Sequence, residues 1–302
     1  MELVVRRRAM GRTVAKSGPM LKLLSRVPLW ALYGLAAFVA WLAFYVLRHR
    51  RHVISAQLER VFPTLDSAER RRIHRQFLRN YCQVMVEILK SASISEDCLR
   101  ERVRIVNLPA VRAFLDAGQS VLFMTSHMGN WEWLLHGVTL QLGYPVDAAY
   151  KPIRDPRGER LLLQLRSRFG ARLVPAKDLL TDYLRRRGIV HALAMNADQA
   201  PAQNERHQWT RFLGQDTAFY VGAEQIARAT RLPIFYASMR RVRRGYYVVN
   251  FIPLWDGREH TEPGELTDRY ARTCETDVLE RPADWLWTYR RWRFAKPLYG
   301  TS

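Results

Sequence analysis

A histidine and a glutamate five positions apart could together activate a hydroxyl group. His127 and Glu132 follow a short apolar run, Val121 to Thr125, of the kind that forms buried strands. The residues after this run indicate a turn, and a helix-like segment follows from Trp131 to Leu142. The sequence therefore predicts that the histidine lies in a turn between a strand and a helix.

Residues five apart on one helix point in different directions, so the pair can meet only if His127 precedes the helix and Glu132 reaches back from its first turn. A carboxylate in that position would fix the imidazole tautomer and leave the other ring nitrogen to act as a general base. The competing interpretation is a core histidine satisfied by a nearby carboxylate. His260 and Glu265 have the same spacing but lie in a polar loop, so we interpret that second copy as chance.

A further apolar run, Ile189 to Met195, predicts a strand that ends in a polar segment containing Asp198 and Gln199. Open α/β sheets place their chemistry at the carboxyl ends of strands. Asp198 could therefore line an acceptor pocket and hydrogen-bond a hydroxyl group, or it could pair with Arg166. The alternative is a structural carboxylate in a loop.

Cations follow another strand-like run, Val146 to Tyr150. Lys151 and Arg154 come directly after it, and Arg166 lies further along a predicted helix. A planar guanidinium suits bidentate recognition of a phosphate group. The alternative is a solvated basic face of that helix.

Five blocks of sequence carry a resemblance to a known family. They are Ser126-His127-Met-Gly129-Asn130-Trp131-Glu132, Tyr150-Lys151-Pro152-Ile-Arg154-Asp155-Pro156, Asp198-Gln199, Phe212-Leu213-Gly214 and Pro282-Ala-Asp-Trp285-Leu286-Trp287-Thr-Tyr-Arg290-Arg291. In this order and spacing they resemble the late lipid A (Kdo-lipid A lauroyl/myristoyl-type) acyltransferase branch of the lysophospholipid acyltransferase superfamily. Together with an apolar amino-terminal segment, the resemblance covers nearly the whole chain.

The resemblance implies transfer of a fatty acyl group from an acyl carrier protein or coenzyme A thioester to a lipid hydroxyl, with a lipid A precursor as the expected acceptor. His127 would take the acceptor proton, and Glu132 would stabilise the imidazolium, without an acyl-enzyme. The chain agrees with this in having no Gly-x-Ser-x-Gly elbow. Its three cysteines, Cys82, Cys98 and Cys274, have no histidine nearby in sequence.

Binding roles extend the predicted site beyond these two catalytic residues. Backbone amides after Gly129 are candidates for holding the oxyanion, although Gly129 could equally be a turn glycine and Asn130 a helix N-cap. The other predicted substrate-binding residues are Lys151, Arg154, Arg166, Asp198 and Gln199. Lys151 replaces an arginine of the resembling proteins and Arg154 stands where they vary, which leaves open the cation that binds the anionic group.

Composition limits the classes of partner. The chain has 302 residues, 48% of them hydrophobic, and a formal net charge of +20. Such charge suits nucleic acid, an anionic membrane or phosphorylated substrates. No helix-turn-helix, zinc or RNP-type motif supports nucleic-acid binding, and no metal-ligand spacing is present in the sequence. We expect an anionic lipid acceptor. We expect an acyl thioester as co-substrate and no cofactor.

An uncharged stretch from Leu29 to Leu47 is close to the about 20 residues that a helix needs to cross a bilayer. We therefore predict a basic segment over 1–27, a membrane-anchoring helix over 28–48 and an acyltransferase domain over 49–302. Both flanks are basic, so the positive-inside rule gives no clear orientation, and a re-entrant or interfacial helix would reconcile them. Because thioester donors are cytoplasmic, we expect a bacterial inner-membrane protein whose catalytic domain faces the cytoplasm.

Alternating strand and helix patterns predict an α/β fold, with a mixed central sheet flanked by helices as in glycerolipid acyltransferases. Further strands are expected over 172–175, 234–239 and 246–252, and the last two would form a hairpin around Gly245. Further helices are expected over 161–169, 178–187, 219–229 and 267–279, and an amphipathic helical region over 53–93. The closing segment 285–293 suits either an amphipathic element at a lipid interface or a covering helix that buries its tryptophans.

Two rival functions stay open at this point. The same chemistry could act on a lysophospholipid, a glycolipid or a specialised metabolite. A protein of a different class, a non-catalytic binder of lipid or acyl carrier protein, would also suit the basic surface. A binder has no need of both His127 and Glu132, and this favours the enzyme.

Overall fold

Nine strands, eleven α-helices and two short 3-10 helices make up the regular structure of the part of the chain that the computed structural model describes, residues 19–153, 155–202 and 205–296. The strands are β1 (Val103–Ile105), β2 (Val121–Thr125), β3 (Val146–Tyr150), β4 (Arg172–Pro175), β5 (Ala192–Asn196), β6 (His207–Phe212), β7 (Gln215–Tyr220), β8 (Ile234–Arg243) and β9 (Tyr246–Trp255). The helices are α1 (Pro19–Arg26), α2 (Leu29–Tyr45), α3 (Arg51–Val61), α4 (Ser67–Lys90), α5 (Glu96–Arg102), α6 (Leu108–Asp116), α7 (Trp131–Gln141), α8 (Pro156–Ser167), α9 (Leu179–Arg185), α10 (Gly222–Thr230) and α11 (Glu265–Glu280).

A seven-stranded sheet forms the centre of the fold, with the strand order β1-β9-β8-β2-β5-β3-β4. Its neighbours pair in parallel except β8 and β9, which form an antiparallel hairpin closed by Gly245. The predicted mixed α/β sheet and the predicted hairpin are therefore confirmed. The register that pairs Thr125 with Asn196 brings the carboxyl ends of β2 and β5 side by side.

Side chains of the central strands alternate between two hydrophobic clusters, one on each face of the sheet. On β2, Phe123 packs into the cluster that includes Trp133 and Val138 of α7. Met124 points the other way, into the cluster that contains residues of α3, α4, α10 and α11. Because both faces are covered, β2 has the continuous apolar sequence of a fully buried strand.

The helix predicted over 219–229 is wrong at its start. Phe219 belongs to β7, which pairs with β6 in a separate antiparallel hairpin. A two-residue turn at Leu213 and Gly214, both with positive φ, closes this hairpin. The helix begins only at Gly222.

The predicted helical region over 53–93 consists of two helices, α3 and α4, with a turn between them. Asp66 and Glu69 start α4 with a reciprocal capping box: the Asp66 side chain accepts from the Glu69 amide at 2.8 Å, and the Glu69 side chain accepts from the Asp66 amide at 3.1 Å. The long helix that follows carries Glu87 on a buried face.

The amino-terminal apolar stretch forms α2, a helix of 17 residues. Within residues 19–153, 155–202 and 205–296, no helix combines the length and the apolar character that crossing a bilayer requires. The predicted membrane-anchoring helix over 28–48 is therefore not supported. One side of α2, including Tyr33 and Phe44, is buried in the protein, whereas Trp30, Phe38 and Trp41 are exposed.

The closing segment after α11 does not form the covering helix that was one of its two predicted forms. A 3-10 helix over Pro282–Asp284 precedes it, and the chain then continues without regular structure to residue 296. Trp285 and Trp287 are buried in the core, so these two rings are not available to a lipid interface. The segment does bury Trp285 and Trp287, as that alternative predicted, but it does so as irregular chain and not as a helix.

Candidate active site

His127 and Asp198 meet at the carboxyl edge of the sheet. Each lies two residues beyond the end of a strand, His127 after β2 and Asp198 after β5, and the parallel register places these ends together. His127 Nδ1 lies 2.7 Å from Asp198 Oδ1. The His127 backbone amide also donates to Asp198 Oδ2 at 3.0 Å. The carboxylate thus holds both the ring and the backbone of the histidine.

The predicted pairing of His127 with Glu132 is not what the structure shows. Glu132 instead accepts from Arg166, at 2.9 Å from Nε and 2.6 Å from Nη2, and from Trp131 Nε1 at 3.1 Å. Glu132 is the second residue of α7, and its side chain extends towards α8, which carries Arg166. Asp198 was expected to line a pocket or to pair with Arg166. In the structure, Asp198 pairs with His127 and Glu132 pairs with Arg166.

Both carboxylates are buried and charged. Burial alone would raise the pKa of Asp198, but the charge and hydrogen bonds of His127 and a bond from Trp285 Nε1 at 2.9 Å leave it below its usual value. Burial likewise opposes ionisation of Glu132, and Arg166 more than offsets this, so the pKa of Glu132 is also lowered. An ionised Asp198 accepts the Nδ1 proton and leaves His127 Nε2 as the free basic atom.

Two side-chain amides flank His127 Nε2. Asn196 Nδ2 lies at 3.3 Å and Gln199 Nε2 at 3.4 Å. Gln199 was predicted as a binding residue, and the structure places it in the site. Asn196 was missed, although its position as the last residue of β5 was a usable signal. Trp285 was predicted to lie at a lipid interface or to be buried under a covering helix, and no sequence signal connected it to Asp198.

A cavity of about 390 Å³ opens at His127 and extends between α7, α8 and the sheet. Charged and polar side chains form part of its wall, among them Glu132, Arg166, Lys151 and Gln199. The rest of its wall is mainly apolar and includes Phe123, Leu134, Val138, Val146, Leu162 and Leu173. Such a cavity suits a ligand with a polar reacting group and a hydrocarbon tail.

Gly129 and Asn130 do not line this cavity, so their positions do not support the predicted binding roles. The Gly129 amide donates to the Asp284 carbonyl at 3.0 Å, and φ at Gly129 is +57°, a turn conformation that favours glycine. Asn130 is fully buried and accepts from the Trp133 amide at 2.9 Å. The alternatives, a turn glycine and a helix N-cap, are therefore correct.

The predicted cations differ in how available they are. Arg166 is held by Glu132, so its guanidinium is already engaged on two of its nitrogens. Lys151 lines the cavity and is mostly exposed, and it forms an ion pair with Glu205 at 2.8 Å. Arg154 lies outside the described residues.

A comparison with protein families identifies the chain. The family described as bacterial lipid A biosynthesis acyltransferase matches residues 18–294. The chain belongs to this family. It is therefore an acyltransferase, and the family places it in lipid A biosynthesis. A comparison with curated proteins gives no match. Family membership supports the predicted resemblance and argues against the rival interpretation as a non-catalytic binder.

The Glu132–Arg166 pair predicts a measurable stability effect. Removing one partner of a buried ion pair leaves the other charge uncompensated, so we expect Glu132→Ala to lower the free energy of unfolding by about 3 kcal/mol. The double variant Glu132→Ala/Arg166→Met should lose less than the single variant. Urea unfolding followed by circular dichroism measures both.

Glu205→Ala, which breaks the exposed pair with Lys151, is the control and should lower the free energy of unfolding by about 1 kcal/mol or less. Equal losses in the single and double variants would contradict a coupled pair.

Proposed function

We propose that this enzyme transfers a fatty acyl group from an acyl carrier protein or coenzyme A thioester to a hydroxyl group of a lipid A precursor by general-base catalysis. The observation that carries the proposal is the His127–Asp198 pair, whose histidine lines a largely apolar cavity. It supplies a base with a defined tautomer next to a space for a hydrocarbon chain.

In the proposed reaction, His127 Nε2 takes the proton of the acceptor hydroxyl as its oxygen attacks the thioester carbonyl carbon. The tetrahedral intermediate then collapses, the C–S bond breaks, and the imidazolium returns the proton to the leaving thiolate. Asp198 stabilises the imidazolium between these two steps. An ester and a free thiol are the products, and no cofactor other than the thioester co-substrate takes part.

Direct transfer fits the positions of the cysteines. Among the described residues that line the cavity there is no cysteine. Cys274 is fully buried, and burial raises the pKa of its thiol well above the ordinary value. A thiol of this kind is a poor nucleophile.

The oxyanion of the intermediate needs hydrogen-bond donors. The predicted candidates are the backbone amides after Gly129, at the start of α7, where Trp131 and Glu132 line the cavity. Asn196 and Gln199 are further candidates, because their amide nitrogens lie within 3.4 Å of the atom that takes the acceptor proton. Both amides would turn from Nε2 towards the oxyanion once the acceptor hydroxyl binds to that nitrogen.

The acyl chain would lie against the apolar side chains of the cavity wall, and the anionic acceptor would approach Lys151, the exposed cation of that wall. The enzyme would act at the cytoplasmic face of the bacterial inner membrane, where thioester donors are available. The exposed apolar side chains of α2, including Trp30, Phe38 and Trp41, would contact the lipid surface, and the net charge of +20 would favour anionic lipids.

Mass spectrometry of lipids from cells with and without the protein tests this proposal. We expect lipid A in cells lacking the protein to be lighter by one acyl chain, and wild-type protein to restore the mass while His127→Ala does not. Unchanged lipid A together with another lipid or metabolite that lacks one acyl group would contradict the proposed acceptor and retain the chemistry. No change in any acylated species would contradict the proposed reaction.

A further inference from the structure

Glu87 is a carboxylate with no exposed surface that lies on the inner face of α4. It accepts hydrogen bonds from three different elements: from Tyr33 of α2 at 3.0 Å, from Tyr247 of β9 at 2.6 Å and from the Asn130 side chain at 2.9 Å. Oε1 takes the bond from Tyr33, and Oε2 takes the other two. It does not line the cavity, and nothing in the proposed reaction uses it.

A charged group in this position is costly unless it is fully hydrogen-bonded. Burial raises the pKa of Glu87, while Arg241 and the three donors partly oppose this effect. The three donors are themselves buried, and each donates to Glu87. The hydrogen bonds of Glu87 and of its three donors are therefore satisfied only when all four groups are in place.

One member of the cluster is part of the turn that carries His127. The Asn130 side chain caps α7 through its oxygen, which accepts from the Trp133 amide, and it bonds to Glu87 through its nitrogen. Glu87 therefore fixes the orientation of the cap. The Tyr247 ring, a second partner of Glu87, lies 3.6 Å from where a Cβ at Gly129 would stand, so it packs directly on the same turn.

The turn from His127 to Asn130 is thus held from two sides. Asp198 binds the His127 end, and Glu87 binds the Asn130 end. Through Tyr33, Glu87 also connects this turn to α2, the helix whose other side is exposed and apolar.

We propose that Glu87 is a positioning residue for the acyl transfer: it sets the backbone of the turn that carries His127 and ties that turn to α2. The inference rests on the proposed role of His127 as general base. Displacement of a reacting group by about 1 Å can lower a rate by about 10²-fold. Loss of the Glu87 contact should therefore lower kcat and leave KM nearly unchanged.

An exchange of partners tests this proposal. Asn130→Asp puts a carboxylate oxygen in place of the amide nitrogen that lies 2.9 Å from Glu87 Oε2, so two carboxylates face each other and we expect kcat to fall by about 10- to 100-fold. Adding Glu87→Gln restores a donor and an acceptor: the glutamine at position 87 donates to the new carboxylate, which caps α7 as well as asparagine does. We expect the double variant to recover to within about threefold of wild-type kcat, since the geometry of the turn is restored.

Glu224→Gln is the matched control. Glu224 is also buried and accepts three bonds, from Gly264 N, Thr267 N and Thr267 Oγ1, but it joins α10 to α11 away from the cavity. Its variant should keep wild-type kcat. Wild-type kcat in Asn130→Asp, or a loss that Glu87→Gln does not restore, would overturn the proposal and reduce Glu87 to a packing role.

A second measurement separates this inference from the proposed function. In protein labelled with ¹⁵N-histidine, the Nδ1 proton of His127, assigned by its disappearance in His127→Ala, reports the hydrogen bond to Asp198 without any substrate. We expect this resonance to shift in Asn130→Asp, to return in the double variant and to stay unchanged in Glu224→Gln. An unshifted resonance in Asn130→Asp would overturn the positioning role even if the wild-type protein transfers acyl groups. Absence of transfer by the wild-type protein would contradict the proposed function alone.

Discussion

Replacing Asp198 with asparagine is expected to lower kcat by on the order of 10³- to 10⁴-fold with little change in stability. Oδ2 of Asp198 accepts from the His127 amide and from Trp285 Nε1, and Oδ1 faces His127 Nδ1. The oxygen of an asparagine must stay with the two fixed donors, so its NH₂ group must face Nδ1. Nδ1 then becomes an acceptor, the ring proton moves to Nε2, and the base is lost.

Steady-state kinetics with an acyl thioester and a lipid acceptor measure this effect. Asp147→Asn is a suitable control, because Asp147 is also fully buried on the sheet but pairs with Arg172 and Arg186 outside the cavity. Glu132→Gln distinguishes the observed His127–Asp198 pair from the His127–Glu132 pair that the sequence predicted. If Glu132 oriented His127, the larger loss of kcat would occur in that variant, and a near-normal Asp198→Asn enzyme would show that the observed pair is not the functional one.

The sequence could predict local structure where a short apolar run is bounded by turn residues. The strands expected over 121–125, 146–150 and 172–175 have the observed bounds. The position of His127 directly after a strand was predictable for the same reason. The helix start expected at Phe219 failed because that residue continues a hairpin strand, which has no long apolar run.

The partner of His127 could not be predicted, because it depends on the order of strands in the sheet. Asp198 is 71 residues from His127, and the two meet only because β5 pairs with β2 in parallel. Glu132, only five residues away, was the more obvious partner from spacing. Nothing in the local sequence indicates that Arg166 competes for it.

Contacts from distant segments were the least predictable part of the site. Trp285 is 87 residues from Asp198 and Glu87 is 43 residues from Asn130, and each acts through one hydrogen bond to a residue of the site or its turn. Glu87 looked like a carboxylate on an apolar helix face that needed a structural partner. The structure identifies its hydrogen-bond partners. One of them is Asn130, the cap of the helix that follows His127.

Replacing His127 with alanine is expected to lower kcat by on the order of 10³-fold or more, because the Asn196 and Gln199 amides beside Nε2 cannot take up a proton as imidazole does. The fold should persist, since the backbone amide at position 127 still donates to Asp198 and the side chain leaves a space open to the cavity. Added imidazole should restore part of the activity by entering that space.

The combination of the two variants is the sharper test. Asp198 acts on the reaction through His127, so His127→Ala/Asp198→Asn should be no slower than His127→Ala alone. If the losses of kcat in the two single variants multiply, Asp198 contributes independently of His127. It would do so if it hydrogen-bonded the acceptor hydroxyl directly, which was one of the roles predicted for it. Imidazole should rescue the single variant better than the double variant, because only an aspartate at 198 can accept the proton of the added ring and leave its other nitrogen basic.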